Sequence, residues 1–309
     1  FQDTIEVTNT IPLIDTRSTV AGVTANVDDL SSQLPISRDV TTVALLASGS
    51  FSPDPRFSVG AGDQGWMLTP GQSVPAVSGS SAGENTYLVN GLNTTNVYYM
   101  IGSSFVPMEF VEEVQVKTGG YSAEFGRSTG GVINMVTKSG TNLFRGGVSL
   151  YASPESLQMQ EADTFQIDDY GNASLWRANS SERQEGLEGN LSVGGPVVRD
   201  RLFFFAFMRY ADWGKINMRA PTVARDSSAA DPYWGGKLDW VITNSHRLEG
   251  TFLSDETSVD HSYYSVDPDS GEIGSFLNDG YSLRGGQNWV LKYTGVLSPK
   301  VVLSAQAGV

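Results

Sequence analysis

The chain has 309 residues, a formal net charge of −14 and no cysteine. Disulfides and thiolate metal sites are excluded, and the acidic balance argues against a nucleic-acid partner. His246 and His261 are the two histidines, too few for a multi-histidine zinc site, and no apolar run reaches the roughly 18 residues that would mark a transmembrane helix.

Residues 1–10 are polar and β-prone, and Asp3, Thr4, Ile5, Glu6, Val7 and Thr8 suit either an edge strand or a segment added to a partner's sheet. Residues 27–34 read as a short helix stopped by Pro35, and residues 40–47 as a second helix capped by Ser37, Arg38 and Asp39. Residues 51–75, rich in Gly, Pro, Ser and Asp, read as an irregular loop. Residues 77–81 and 85–92 are expected to form a hairpin-like pair, with Asn90-Gly91 as a turn signal in its own right. Val111, Val114 and Val116, set among Glu112, Glu113, Gln115 and Lys117, mark a half-buried strand. Gly119-Gly120 ends it, and Gly130-Gly131 precedes a second strand at 132–136. The chain up to residue 141 therefore reads as a small mixed α/β unit.

From residue 142 the rhythm changes to period-2 alternation. About seven strands are expected, at 142–152, 185–194, 201–212, 232–243, 246–255, 286–297 and 300–309. Leu202, Phe204, Ala206, Met208 and Tyr210 share one face, opposite Arg209. Trp234, Leu238, Trp240 and Ile242 oppose Lys237 and Asp239, and Trp289, Leu291, Tyr293 and Leu297 oppose Asn288, Lys292 and Thr294. One apolar and one polar face is what lipid outside and a polar lumen inside require. Trp213, Tyr233, Trp234 and Trp289 are expected to form an interfacial girdle. Connections at 195–200, 244–245 and 298–299 are short, whereas 153–184, 213–231 and 256–285 are long. Barrels of the outer-membrane type sort their periplasmic turns and external loops in this way, and a soluble sandwich does not.

Residues 76–151 carry a resemblance to a known family. Residues 111–116 supply a hydrophobic-Glu-x-hydrophobic-x-Val strand, followed by a Gly turn and by Phe125-Gly126-Arg127-Ser128-Thr129-Gly130-Gly131-Val132-Ile133-Asn134. This resembles the end of the plug domain of TonB-dependent outer-membrane receptors, where it leads into the barrel. The wording from Lys117 to Gly126 is similar to the Oar-like subgroup, as is 34–39. Many members carry Arg where this chain has Glu113, which leaves any ion-pair network borrowed from them incomplete. The resemblance implies a mixed α/β plug followed by an antiparallel transmembrane β-barrel, incomplete in this chain because such barrels close with about 22 strands. The division it implies is a TonB box or N-terminal segment at 1–10, a plug at 11–141 and opening barrel strands at 142–309. The chain reads as the N-terminal portion of a longer protein.

The function implied is plug-gated, energised passage of an unidentified substrate across the bacterial outer membrane. TonB and its inner-membrane energising proteins would be the partners, with outer-membrane lipid around the wall. A surface adhesion or structural protein of the same form, without active transport, is the alternative. Residues 3–8 are the TonB-contact candidates, although an edge strand or the tail of an upstream domain would read alike. Glu112 and Arg127 are candidates for a plug network linked to the wall, or else two solvated charges. Asp267, Asp269 and Glu272 loosely resemble a calcium loop, but the rest of that motif is missing, and an acidic, solvated outer loop explains them as well. No other cofactor is implied. The paired glycines lack the Gly-Lys-Ser/Thr of a phosphate loop, no G-x-S-x-G elbow occurs, and no catalytic constellation is found.

Overall fold

The computed structural model describes residues 20–33, 40–51, 75–97, 106–122, 125–126, 128–160, 162–220 and 222–309. Its first unit is a five-stranded mixed sheet. In chain order come β1 (Ala21–Asn26), α1 (Val27–Gln33), a 3₁₀ turn (Val40–Leu46), β2 (Thr86–Val89), β3 (Leu92–Asn93), β4 (Val111–Gly119) and β5 (Val132–Thr137). The spatial order is β1-β4-β5-β2-β3, with β2 and β5 parallel and the other pairs antiparallel.

The first helix forms as expected, but 40–46 winds as 3₁₀ rather than α. The pairing expected between 77–81 and 85–92 does not form. Ser78 and Gly79 both have positive φ, which breaks that segment. β2 instead pairs with β3 across Asn90-Gly91 and with β5 on its other side. Both residues of that turn sit at positive φ, +50° and +85°, the geometry of a tight I′ hairpin. In β4 the register shifts between Val111 and Glu113. That bulge takes up one residue, so Val111, Val114 and Val116 all reach the core despite their uneven spacing, while Glu112 is exposed.

The second unit is a nine-stranded antiparallel sheet. Its wall strands are β6 (Arg145–Ser153), β9 (Arg183–Val198), β10 (Leu202–Ala220), β11 (Val223–Thr243), β12 (His246–Ser254), β15 (Gln287–Ser298) and β16 (Val301–Gly308). Between them lie β7 (Thr164–Ile167), β8 (Ala173–Arg177), β13 (Thr257–Val266) and β14 (Ile273–Arg284). The order β16-β15-β12-β11-β10-β9-β6 is an open curve rather than a closed barrel. The expected seven wall strands are all present.

The long connections are not loops. β10 and β11 run on through 213–220 and 223–231, β13 and β14 occupy most of 256–285 with β13 paired to the upper part of β11, and β7 and β8 form a separate hairpin within 153–184. The alternation that marks a wall strand fades after Tyr210, where Trp213, Ile216 and Met218 fall on both parities among Asp212, Lys215 and Asn217. The main-chain ladder continues regardless, because hydrogen bonding does not depend on amphipathicity.

Facing in the wall follows the alternation. Met208, Trp234, Leu238, Trp240, Trp289 and Leu291 are exposed on the outward side, while Phe207, Lys237 and Asp239 are buried on the other. The girdle is narrower than expected. Tyr233 is buried and faces inward, and Trp213 is half-buried at the same strand parity. Trp234 and Trp289 remain outward, joined through Phe252, with ring centroids 4.6 Å and 4.4 Å apart.

Candidate functional site: the seat of the first unit on the wall

The chain turns into the wall sheet at 138–144, and the first unit lies against its inward face. A 3₁₀ turn, Met108–Phe110, immediately precedes β4 and delivers Phe110 to that contact. The ring of Phe110 is fully buried, stacked at 4.0 Å on Phe207 and 5.6 Å from Phe205 of β10. Phe207 and Leu253 of the wall belong to the same hydrophobic core as Tyr87, Val114, Ile133 and Met135. The two units therefore share one core, and burying a side chain of this size stabilises by roughly 1.5–3 kcal/mol.

Asn90 supplies the polar fastening. Its Nδ2 donates to Thr137 Oγ1 and to Thr251 Oγ1 of β12, each at 2.9 Å, and its Oδ1 accepts from the Thr137 amide at 3.0 Å. One side chain thus holds its own hairpin turn, strand β5 and the wall. Gly140 lies so close to the wall that a Cβ there would meet the Phe204 backbone and the Gly195 carbonyl oxygen.

The inward face of the wall carries paired charges. Arg209 Nη2 donates to Glu188 at 2.6 Å, and the guanidinium lies 5.1 Å from the Tyr233 ring centroid. Arg247 bridges Asp239 at 2.9 Å and Glu249 at 3.0 Å, and Lys237 lies 3.9 Å from Glu249. Asp239 is 1 % exposed, and its Oδ2 has no hydrogen-bond partner. Arg209 and Glu188 are both mostly buried, and removing one member of such a pair costs roughly 3–5 kcal/mol, because the other charge is left uncompensated.

Of the residues singled out from sequence, Glu112 is exposed on an open cleft of about 460 Å³ between the two units. Asp28, Lys138, Arg145 and Phe205 also line it, and Lys138 Nζ reaches Asp28 at 2.8 Å. Arg127, the other half of the proposed network, lies outside the described residues, as do Asp3, Thr4, Ile5, Glu6, Val7 and Thr8. Asp267, Asp269 and Glu272 sit at the tip between β13 and β14. There Asp267 Oδ1 accepts the amides of Ser270 at 2.8 Å and Asp269 at 2.9 Å, and the Ser270 hydroxyl at 3.1 Å. Those bonds, the Ser270 amide first, hold the Asp267 carboxyl below its usual range. Among the described residues no group of three or more His, Asp or Glu is placed to hold a metal.

Sequence reasoning missed Phe110, Phe207 and the Asn90–Thr251 bond. One signal was legible in the run at 203–207: Phe205 and Phe207 put apolar rings on the face assigned to a polar lumen, which implies that something packs there.

A small mixed unit seated on the inward face of an antiparallel wall, with apolar side chains outward, is the arrangement of a plug against a barrel wall. Residues 57–132 match the family model for the TonB-dependent receptor plug domain. Over 97% of its length the chain is 29% identical to the TonB-dependent transporter Oar of Myxococcus xanthus, of which it spans 30%. It is 28% identical, over 53% of its length and 19% of the relative's, to the probable TonB-dependent siderophore receptor PirA of Acinetobacter baumannii. In fold it is similar to a variant of the ferric enterobactin receptor PfeA from Pseudomonas aeruginosa, with a TM-score of 0.51 and 14% identity over 95% of this chain and 49% of that one. A second PfeA structure gives 0.50, at 14% identity over 93% and 45%. The chain is therefore similar to the plug and wall strands of TonB-dependent receptors, Oar among them, and spans less than a third of the curated relatives and about half of the solved structures.

Proposed function

We propose that the chain is the plug and adjoining wall of an outer-membrane transporter, energised by TonB and gated by movement of the plug. The observation that carries this reading is the shared core at Phe110 and Phe207. It closes the inward face of the wall while leaving only Asn90 and a few side chains as polar fastenings. An outward apolar band fits a bilayer: from Trp234 to Ile242 is roughly 26 Å of strand, near the band about 25 Å tall of barrels that span the outer membrane. The substrate is unidentified. The name of the PirA relative makes ferric siderophores the first class to assay. The domain division at 10 and 141 belongs to the same reading, with residues 3–8 paired to TonB as an added strand. Ile5→Pro removes a backbone donor and fixes φ without touching the wall. Normal outer-membrane abundance with loss of crosslinking to TonB supports the reading, and undiminished crosslinking overturns the assignment of 3–8.

A further inference from the structure

The short-turn edge of the wall carries exposed cations. Arg199 and Arg201 flank the β9–β10 turn, and Lys300 sits in the β15–β16 turn. The intervening acid, Asp200, is already engaged: its Oδ1 accepts Asn142 Nδ2 at 2.6 Å, while its own amide donates to Asn142 Oδ1 at 2.9 Å. Asp200 also sits at φ +63°. This reciprocal pair, with the Val241 amide donating to the Arg201 carbonyl at 2.7 Å, fixes the turn and holds the two arginines on either side of it. Neither arginine has an ion pair among the described residues. The two turns are separated by four strand spacings, roughly 19 Å. Exposed Ile242, Leu297 and Leu303 lie beside them on the outward face, where acyl chains would meet the wall. The opposite end is acidic, with Glu155, Asp163, Asp168, Asp169, Asp267 and Asp269.

We propose that this edge is a docking surface for anionic phospholipid headgroups of the periplasmic leaflet, with Arg199, Arg201 and Lys300 as the phosphate-facing cations. The proposal rests on the outer-membrane reading above, with the short turns in the periplasm. Its chemistry is charge complementarity at an apolar boundary: basic side chains next to an anionic lipid surface each strengthen binding roughly fivefold. The acidic far end repels the same lipids, so the asymmetry along the wall favours this one edge.

The test is native mass spectrometry of the detergent-purified chain with phosphatidylglycerol or phosphatidylcholine of matched acyl chains. The expected result is an adduct ratio on the order of one hundred in favour of phosphatidylglycerol, falling roughly fivefold for each neutralisation and approaching one in the triple variant Arg199→Gln, Arg201→Gln, Lys300→Gln. Arg183→Gln, at the other end of the wall, should leave the ratio unchanged. A ratio near one in the unaltered chain overturns the proposal, as does a ratio that survives in the triple variant or falls equally in Arg183→Gln. If the triple variant does not fold, the salt dependence of the unaltered chain decides. Near 1 M salt, where screening acts within about 3 Å, the preference should vanish, and its persistence overturns the proposal. TonB and uptake play no part in this assay, so it and the transport reading fail independently.

Discussion

Phe110→Ala tests whether plug and wall are one cooperative core. The ring is fully buried and stacks on Phe207 at 4.0 Å. Truncation of a buried Phe costs roughly 3–5 kcal/mol, of which the ring pair accounts for about 0.5–1.5 kcal/mol. Hydrogen exchange at the β5 amides, Val132–Thr137, reads the effect, because β5 lies at the centre of the plug sheet. A loss near 4 kcal/mol is about a thousandfold in protection. Phe207→Ala, although it lies in the wall, should also loosen β5. The double variant should be less destabilised than the sum of the two by about 1 kcal/mol, since each single change already removes the stack. Additivity within roughly 0.3–0.5 kcal/mol would refute the shared core.

Four further outcomes are expected. Leu291→Arg places a charge on the outward face at a cost of roughly 2–4 kcal/mol near the midplane, so it should lower assembly yield in outer membranes while Lys292→Arg, on the inward face, does not; equal yields would reverse the facing. Cysteines at Ser174 and Ser270, both exposed, should label on intact cells with an impermeant maleimide, whereas one at Ser227, buried with its hydroxyl 2.9 Å from His261, should not; labelling only after membrane disruption would invert the topology. Gly140→Ala forces a Cβ onto the Phe204 backbone, so protease cleavage within 138–144 should rise while β5 exchange changes little; unchanged cleavage would show that the joint has room. The depressed Asp267 carboxyl contributes turn stability that is present above its ordinary value of 3.8 and is lost as pH falls through the lower folded value. Protection of the Ser270 amide should thus be constant from pH 7 to about 5 and fall below about 4, and Asp267→Asn should flatten that profile.

The sequence by itself determined the elements whose physics is local. Alternation along 202–210 and 234–242 settles which face of each wall strand is apolar, because side chains alternate on every strand regardless of what lies beyond it. Asn90-Gly91 specifies its turn because few residue pairs tolerate two positive φ values. Other features are tertiary. A bulge at Glu112 decides that Val111 joins Val114 in the core. The ends of β10 and β11 persist as strands through a stretch with no amphipathic signature, since their ladders come from each other and from β9 and β13. Asp239 reads from the sequence as a polar, lumen-facing position, yet it is 1 % exposed and bridged by Arg247, so Asp239→Arg joins the costly changes. The site shows the same division. Phe110, Asn90 and Phe207 are widely separated in sequence, and each carries a sufficient local reason to be where it is. Only the folding of the plug back onto the wall brings Phe110 to Phe207 and Asn90 to Thr251. That approach depends on shape and shared burial across two sheets, which no local window of sequence contains.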